Sequence, residues 1–315
     1  GDGTDTLDLN FAAILGGLNV DLGSTTNQII SVDGSAPTGT VTGFESIDVS
    51  GYTGSFGARL TGRTTKTNTM LGTPQVDVIT GGSAVDTIGI AGGDTANGGD
   101  GNDVFQVTDA AFDAFSAANP ALDGQAGTGD AISITDVASI VDADFVGLSN
   151  IEILDFTTAS STATLGTVFT ASPITTIDQT GASLQITSTS AKNLGSATAP
   201  VLITGYAFNV EANLLVCSAA VTEVGGDGAI TGYTASNGVY TAASANTDSG
   251  LDWFAKCQLN TNSAAGDVTA FVKGGDSFIF AEGSHTNSDD DVFLQLVDTT
   301  VTKVNAIHGA GVFHV

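Results

Sequence analysis

The amino-acid sequence predicts a mainly β protein with few, short helices. Gly, Thr, Ser, Ala and Asp dominate its 315 residues, and charged residues make up only 13% of the chain. Thr and Val favour strands, whereas Gly and Asp favour turns. A recurrence of Gly and Asp about every nine residues in segment 72–106 adds regularly spaced turns to this composition. The two observations together predict short strands that stack on one another.

Residues 98–106, GGDGNDVFQ, match the nonapeptide G-G-x-G-x-D-x-U-x, in which U is a large apolar residue. Weaker copies precede this unit in the same register. Their Asp residues are separated by nine, eight and nine positions: Asp77, Asp86, Asp94 and Asp103. The apolar residues two positions later are Ile79, Ile88, Ala96 and Phe105. Each unit therefore combines a turn with a short strand whose apolar side chain is expected in a narrow core.

The spacing also predicts where the carboxylates lie. Glycine permits tight turns that aim backbone carbonyls inward, and Asp adds a charged oxygen at the same turn. If two nonapeptides form one coil, Asp77 lies above Asp94 and Asp86 above Asp103. Ca²⁺ takes six to eight oxygen ligands in irregular geometry, so carboxylates and carbonyls at these turns suit it.

This segment resembles the RTX nonapeptide repeats of calcium-binding proteins that are exported by type I secretion, among them bacterial surface-layer proteins. The resemblance implies a parallel β-roll, or β-solenoid, that folds with Ca²⁺. The implied ligands are the four repeat carboxylates, the turn carbonyls and two second choices: Asp77, Asp86, Asp94, Asp103, Gly98, Gly99, Gly101, Asp100 and Asn102. Because Ala84 and Pro74 depart from the pattern and the third unit is one residue short, few ions are expected. The alternative is a Gly/Asp-rich surface loop.

The first residues, GDGTDTLDL, fit the same nonapeptide and make Asp5 a further candidate ligand. They suggest a segment of a longer protein. Apolar residues alternate at 7–11 and 18–22 and predict half-buried strands there.

A larger unit recurs along the chain. The opener GTDTLDLNF at Gly3 has a relative, GTGDAISIT, at Gly127, which adds Asp130 as a candidate ligand. Strands 44–50 and 151–157 then match position by position and resemble the φ-E-x-φ-D strands that accompany RTX repeats in surface-layer proteins. Glu45 and Glu152 within them are either metal ligands or solvent-facing acids.

Two helices are predicted, at 109–122 with Asp109 as its N-cap and at 136–145. The Thr/Ser/Ala tract 157–200 is expected to form short strands, such as 167–169 and 183–187, or else a flexible linker.

The last part of the chain predicts a β-sandwich-like domain, with a hairpin pair near 226–243 and strands at 267–272, 276–280 and 291–296. Its end resembles the C-termini of type I secreted surface proteins and implies an uncleaved secretion signal. Asp289 and Asp291 form either another Ca²⁺ site or an acidic hairpin turn. Cys217 and Cys257 are either one disulfide or two free thiols. The sequence therefore predicts four structural regions, with the bounds 1–71, 72–107, 108–200 and 201–315.

The net charge and the absence of known catalytic motifs restrict the classes of function that the sequence supports. With 34 acidic and 7 basic residues, the formal net charge is −27, which disfavours binding to nucleic acid or to an anionic membrane. No apolar run approaches the ~20 residues of a membrane span. HExxH, G-x-S-x-G and P-loop motifs are absent from the sequence, so no enzyme activity is predicted.

The sequence thus favours a secreted structural protein of the cell surface that self-assembles with Ca²⁺ into a lattice or filament, with surface polysaccharide as a second partner. One alternative is an adhesin. Another is the secretion and folding module of an enzyme whose catalytic domain lies upstream.

Overall fold

Short strands make up most of the described elements, as the composition predicts. The computed structural model describes residues 3–9, 16–114, 122–158, 160–180, 182, 184–188, 195, 200–204, 215–216, 223–224, 233–236, 239–242, 267–281, 292–301, 305–307 and 312–314. Two compact units are present: residues 1–136 with 143–155, and residues 137–142 with 156–315.

The strands before residue 157 are β1 (Thr6–Asp8), β2 (Leu18–Asp21), β3 (Ile29–Val32), β4 (Ser46–Asp48), β5 (Ala58–Thr61), β6 (Thr69–Leu71), β7 (Val78–Gly82), β8 (Thr87–Gly89), β9 (Thr95–Asp100), β10 (Val104–Val107), β11 (Leu122–Ala126), β12 (Ala131–Ile134), β13 (Ser139–Ile140), β14 (Leu148–Ser149) and β15 (Ile153–Phe156). The later strands are β16 (Ser161–Leu165), β17 (Thr176–Asp178), β18 (Leu184–Ser188), β19 (Val201–Thr204), β20 (Leu215–Val216), β21 (Glu223–Val224), β22 (Tyr233–Ser236), β23 (Val239–Ala242), β24 (Asp267–Lys273), β25 (Asp276–Ala281), β26 (Val292–Leu296), β27 (Asn305–Ile307) and β28 (Val312–His314). The described helices are α1 (Asp109–Asp113) and two 3-10 helices, Asp142–Phe145 and Phe169–Ala171.

The first unit contains two sheets. The order of strands is β1-β4-β6-β8-β10-β12-β15 in the first sheet and β14-β11-β9-β7-β5-β2-β3 in the second. From β4 to β12 each strand belongs to the opposite sheet from the strand before it, so every turn carries the chain from one sheet to the other. Neighbouring strands pair in parallel, for example β7 with β9 and β8 with β10, whereas β2 and β3 are antiparallel. The mainly β fold with long parallel sheets is confirmed.

Each sheet carries a row of apolar side chains in register, which forms the core of this unit. In the first sheet the row is Leu7, Ile47, Met70, Ile88, Phe105 and Ile132. In the second sheet it is Val20, Leu60, Ile79, Ala96 and Leu122. All of these side chains are buried, and each large one contributes about 1.5–3 kcal/mol by leaving water. The predicted inward position of the apolar repeat residues is confirmed.

The described strands of the second unit also fall into two sheets. One has the order β17-β19-β26-β25-β24-β23-β22, with β21 on β24, and the other β13-β16-β18-β20-β28-β27. The predicted hairpin near 226–243 is the antiparallel pair β22–β23, and the three predicted C-terminal strands are β24, β25 and β26, which pair antiparallel. These strand predictions are confirmed.

The helix predictions are wrong in extent. The helix predicted at 109–122 comprises only Asp109–Asp113 in the described chain, and its N-cap is Thr108, whose hydroxyl accepts a hydrogen bond from the backbone N–H of Ala111 at 3.2 Å. Leu122 instead begins β11, which pairs with β9. Helix propensity is a weak preference that strand pairing overrides. Phe112 of α1 is buried against Phe145, with an edge-to-face separation of 5.9 Å.

Two further local predictions are corrected. Segment 136–145 is not one helix, because β13 pairs with β16 before the 3-10 helix Asp142–Phe145 begins. Segment 167–169 is not a strand. The Asp142 carboxylate accepts hydrogen bonds from the backbone N–H groups of Gly166, Val168 and Phe169, at 2.7, 3.1 and 2.9 Å, and this holds the chain in a tight turn.

Candidate metal centre

The residue immediately before each strand of the first sheet carries a carboxylate or an amide. In order along the sheet these residues are Asp5, Glu45, Asn68, Asp86, Asp103, Asp130 and Glu152. We call this row the entry ladder. The pattern follows from the turn, since the side chain of the last turn residue can hydrogen-bond to backbone groups of the adjacent coil before the sheet begins.

Direct hydrogen bonds join the members of the entry ladder. The backbone N–H of Asn68 donates to the Asp86 carboxylate at 2.6 Å, that of Asp86 to Asp103 at 2.7 Å, and that of Asp103 to Asp130 at 2.6 Å. The N–H of Asp130 donates to Glu152 at 3.0 Å. The two openers found in the sequence behave alike, since the N–H of Asp5 donates to Glu45 at 2.9 Å. A backbone N–H of the coil before it therefore holds the carboxylate in each of five members: Glu45, Asp86, Asp103, Asp130 and Glu152.

A shorter row lies where strands of the second sheet begin. The backbone N–H of Asp77 donates to the Asp94 carboxylate at 2.8 Å, and the N–H of Ala58 donates to Asp77. The predicted stacking of Asp77 with Asp94, and of Asp86 with Asp103, is thus confirmed. Two separate stacks of carboxylates result, one at each type of turn.

Burial raises the pKa of the stacked carboxyl groups. Asp77, Asp86, Asp94, Asp103 and Asp130 have no exposed surface, and transfer of a carboxylate out of water disfavours its charged form. Burial raises the pKa of Asp94 to about 7, with a smaller contribution from the charge of Asp77. Burial raises the pKa of Asp103 to about 6, and the carboxylates of Asp86, Asp130 and Asp100 add to that rise. The pKa values of the other three are also raised, mainly by burial.

The stacked carboxylates differ in how many of their oxygens have partners. Asp77 receives hydrogen bonds on both oxygens, from the backbone of Ala58 and from the backbone and hydroxyl of Thr73. Asp94 receives the N–H of Asp77 on one oxygen and that of Ala91 on the other. In the described chain, Oδ2 of Asp103 and Oδ2 of Asp130 are instead buried without a hydrogen-bond partner. A buried carboxylate oxygen without a donor is costly, so these two atoms suit a cation.

Glycines make room around the two unpartnered oxygens. A Cβ added at Gly98 would overlap Oδ2 of Asp103, and one added at Gly127 would crowd Oδ2 of Asp130. The carbonyl oxygen of Gly101 lies against Gly127 of the next coil, and that of Gly98 against Gly81 of the preceding coil. Carbonyl oxygens and carboxylates are thus close together at these turns. They are the ligand types that Ca²⁺ prefers.

The other predicted ligands have different surroundings. Asn102 is exposed, and its side-chain oxygen accepts a hydrogen bond from the backbone N–H of Thr128 at 3.1 Å. Asp100 is exposed at the end of β9. Gly99 and Gly101 adopt φ values of 112° and 115°, as the tight turn requires. Asp289, Asp291, Cys217 and Cys257 lie outside the described residues.

Sequence reasoning missed Asn68, Arg63 and Asp142. The turn before Asn68 lacks the Gly-Gly pair and its Asp, so it fits no nonapeptide, although Asn68 stands 18 residues before Asp86. That spacing, about two nonapeptides, was the signal that could have found it. Asp142 binds backbone groups 24 to 27 residues away, and no local pattern marks it.

Among the described residues, no three His, Cys, Asp or Glu side chains converge into a group able to hold a metal. A metal site at these turns would need backbone carbonyls as well as carboxylates. In the same described portion, no helix is long and apolar enough to cross a membrane. Comparison with known proteins found no match to a family model, a curated protein or a solved structure.

Proposed function

We propose that this chain is a structural segment of a secreted surface protein, whose first unit is a parallel β-roll that folds with Ca²⁺ and then takes part in assembly. The observation that carries the proposal is the pair of buried, unpartnered oxygens on Asp103 and Asp130. They belong to adjacent coils joined by a 2.6 Å hydrogen bond. Binding of Ca²⁺ at these turns would offset the cost of burying the two oxygens and the repulsion between the two carboxylates.

The charge of the whole chain supports the same proposal. A formal charge of −27 opposes compaction when it is not screened or neutralised. Where Ca²⁺ is scarce, the stacked carboxylates repel one another. Where it is abundant, its binding free energy becomes folding free energy, about 2.7 kcal/mol when its concentration is 100 times the dissociation constant. Ca²⁺ would supply only charge and coordination in this function, and no catalytic step is proposed.

Calcium titration of two variants tests the proposal. Isothermal titration calorimetry of the wild type should show Ca²⁺ binding, and Asp103→Asn or Asp130→Asn should weaken it at least about tenfold, because a charged ligand is lost. Asp48→Asn is the matched control. Its carboxylate serves a local turn, accepting hydrogen bonds from the backbone and hydroxyl of Ser50. Absence of binding in the wild type, or equal weakening in the control, would contradict the proposal.

A further inference from the structure

Turn 62–68 occupies one position in the entry ladder but differs chemically from its neighbours. It places Asn68, not Asp, before β6. It also overlaps segment 59–66, where three of the seven basic residues of the chain are found: Arg59, Arg63 and Lys66. A cation and a neutral amide therefore stand where the nonapeptide has glycines and a carboxylate.

The Arg63 side chain lies within the ladder. One of its terminal nitrogens is 3.6 Å from the Glu45 carboxylate, and the other donates to the backbone oxygen of Thr67 at 2.6 Å. Its Nε donates to the side-chain oxygen of Asn68 at 3.4 Å. Both Arg63 and Glu45 are only about a quarter exposed, at 22% and 25%. The guanidinium thus bridges two successive members of the ladder.

The next member, Asp86, has donors for both of its oxygens. Oδ1 accepts the backbone N–H of Asn68 at 2.6 Å and its side-chain amide at 2.7 Å, while Oδ2 accepts the N–H of Gly82 at 2.6 Å. Asp103 and Asp130 each keep one oxygen without a donor in the described chain. The hydrogen bonding of the ladder carboxylates therefore differs on the two sides of the step from Asp86 to Asp103: both oxygens of Asp86 accept hydrogen bonds, whereas Asp103 and Asp130 each have one oxygen that does not.

We infer that turn 62–68 carries its own cation, so that the ladder from Glu45 to Asp86 is complete without metal, and only the part from Asp103 onward requires it. This inference rests on the proposed function, since it takes the second part to be the calcium-dependent one. The Arg63 guanidinium supplies the positive charge, and the Asn68 amide supplies the donors that a bare carboxylate lacks. The coils that are ordered without metal then hold the backbone N–H of Asp86 in position to donate a hydrogen bond to the Asp103 carboxylate.

Hydrogen exchange of the full chain, followed by mass spectrometry, tests this division. Peptides that cover 68–89 should be equally protected in millimolar Ca²⁺ and in excess chelator, whereas peptides that cover 98–134 should be protected only with Ca²⁺. If chelation exposes both segments, the self-contained turn is overturned while calcium-dependent folding survives. If chelation exposes neither, the calcium dependence itself fails, and this inference fails with it.

Substitutions of Arg63 distinguish the effect of its positive charge from the effect of its side-chain packing. In chelator, Arg63→Gln should speed hydrogen exchange in 68–89 about tenfold. A hydrogen bond to a charged group stabilises the folded state by roughly the amount that corresponds to a tenfold change in the exchange rate. Arg63→Lys keeps the charge and should retain most of the protection. Arg59→Gln, an equal charge change at an exposed position on β5, should have little effect. The role of the Arg63 guanidinium would be overturned if Arg63→Lys lost as much protection as Arg63→Gln. The same conclusion would follow if Arg59→Gln lost as much protection as Arg63→Gln. If Arg63→Gln does not fold, the wild-type comparison still decides.

Discussion

Asp94 and Asp103 show that backbone hydrogen bonds can hold a carboxylate in place without fully offsetting the cost of burying its charge. Each receives the N–H of the preceding coil, at 2.8 and 2.7 Å, and each is nevertheless buried enough to have a raised pKa. Hydrogen bonds to a carboxylate lower its pKa, and burial raises it. Here burial is the larger effect. The metal-free fold therefore carries carboxyl groups that keep their protons to a higher pH than an ordinary Asp does.

This conflict predicts an unusual pH dependence. An unfolded Asp ionises near its ordinary pKa of 3.8, whereas Asp94 in the fold ionises near 7, so the folded state binds the proton between these values. Metal-free stability should therefore fall as pH rises from about 4 to about 7, with Asp94 alone contributing on the order of 4 kcal/mol. Urea unfolding in chelator at a series of pH values measures this slope.

Two variants show whether the slope comes from the stacked carboxylates. Asp94→Asn removes one titrating group and should reduce the slope, whatever it does to absolute stability. Gln106→Ala changes an exposed side chain that does not titrate and should leave the slope almost unchanged. Stability that rises with pH over this range in the wild type would refute the argument.

Among the elements, the turns of the nonapeptide were the most predictable. Gly, Asp and an apolar residue at fixed spacing dictate a turn, a buried carboxylate and an inward side chain, and Phe105 is buried as expected. The lengths of helices were not predictable in this way. Residues 109–122 have helical composition, yet Leu122 pairs with Ala96 in the second sheet. Contacts between distant residues, which a local pattern does not encode, decide such boundaries.

The same limit applied to the candidate site. Spacing located Asp77, Asp86, Asp94 and Asp103, and the recurring opener located Asp130. Spacing alone did not show which carboxylates find protein donors. That depends on neighbours such as Thr73, which serves Asp77 through both its backbone and its hydroxyl. The distinction between satisfied and unpartnered carboxylates emerges only from the folded coils.

The close approach of successive turns predicts a severe effect of one methyl group. Gly99 has a φ of 112°, and a Cβ there would overlap the carbonyl oxygen of Gly82 in the preceding coil. Gly99→Ala should thus destabilise the first unit by more than the ~1–3 kcal/mol of a strained backbone alone. Gly34→Ala is the control, because Gly34 also has a positive φ of 74° but nothing within 4 Å of the added Cβ. Denaturant unfolding in Ca²⁺ measures the stability of both variants. Equal losses of stability would mean that the close approach of successive coils at Gly99 adds nothing to the cost of the strained backbone.

For the whole molecule, 34 acidic residues against 7 basic ones should make separate copies repel one another in dilute solution. Simple salt screens this repulsion over about 10 Å at 0.1 M, whatever the cation. A bound divalent cation acts differently, because it neutralises charge at defined positions and orders the coils that hold it. Assembly driven by site binding should therefore respond to Ca²⁺ far more than to NaCl of equal ionic strength.

Electron microscopy can separate these two effects. The purified protein should form ordered sheets or filaments in millimolar Ca²⁺, dissolve on addition of excess chelator, and remain dispersed in NaCl of matched ionic strength. Asp103→Asn should require a higher Ca²⁺ concentration for assembly, whereas Asp48→Asn should not. Equal assembly in NaCl would make general screening the cause. A monomer in every condition would refute self-assembly while leaving the calcium-dependent fold open to the calorimetric test, because folding of one chain and packing between chains are separate steps.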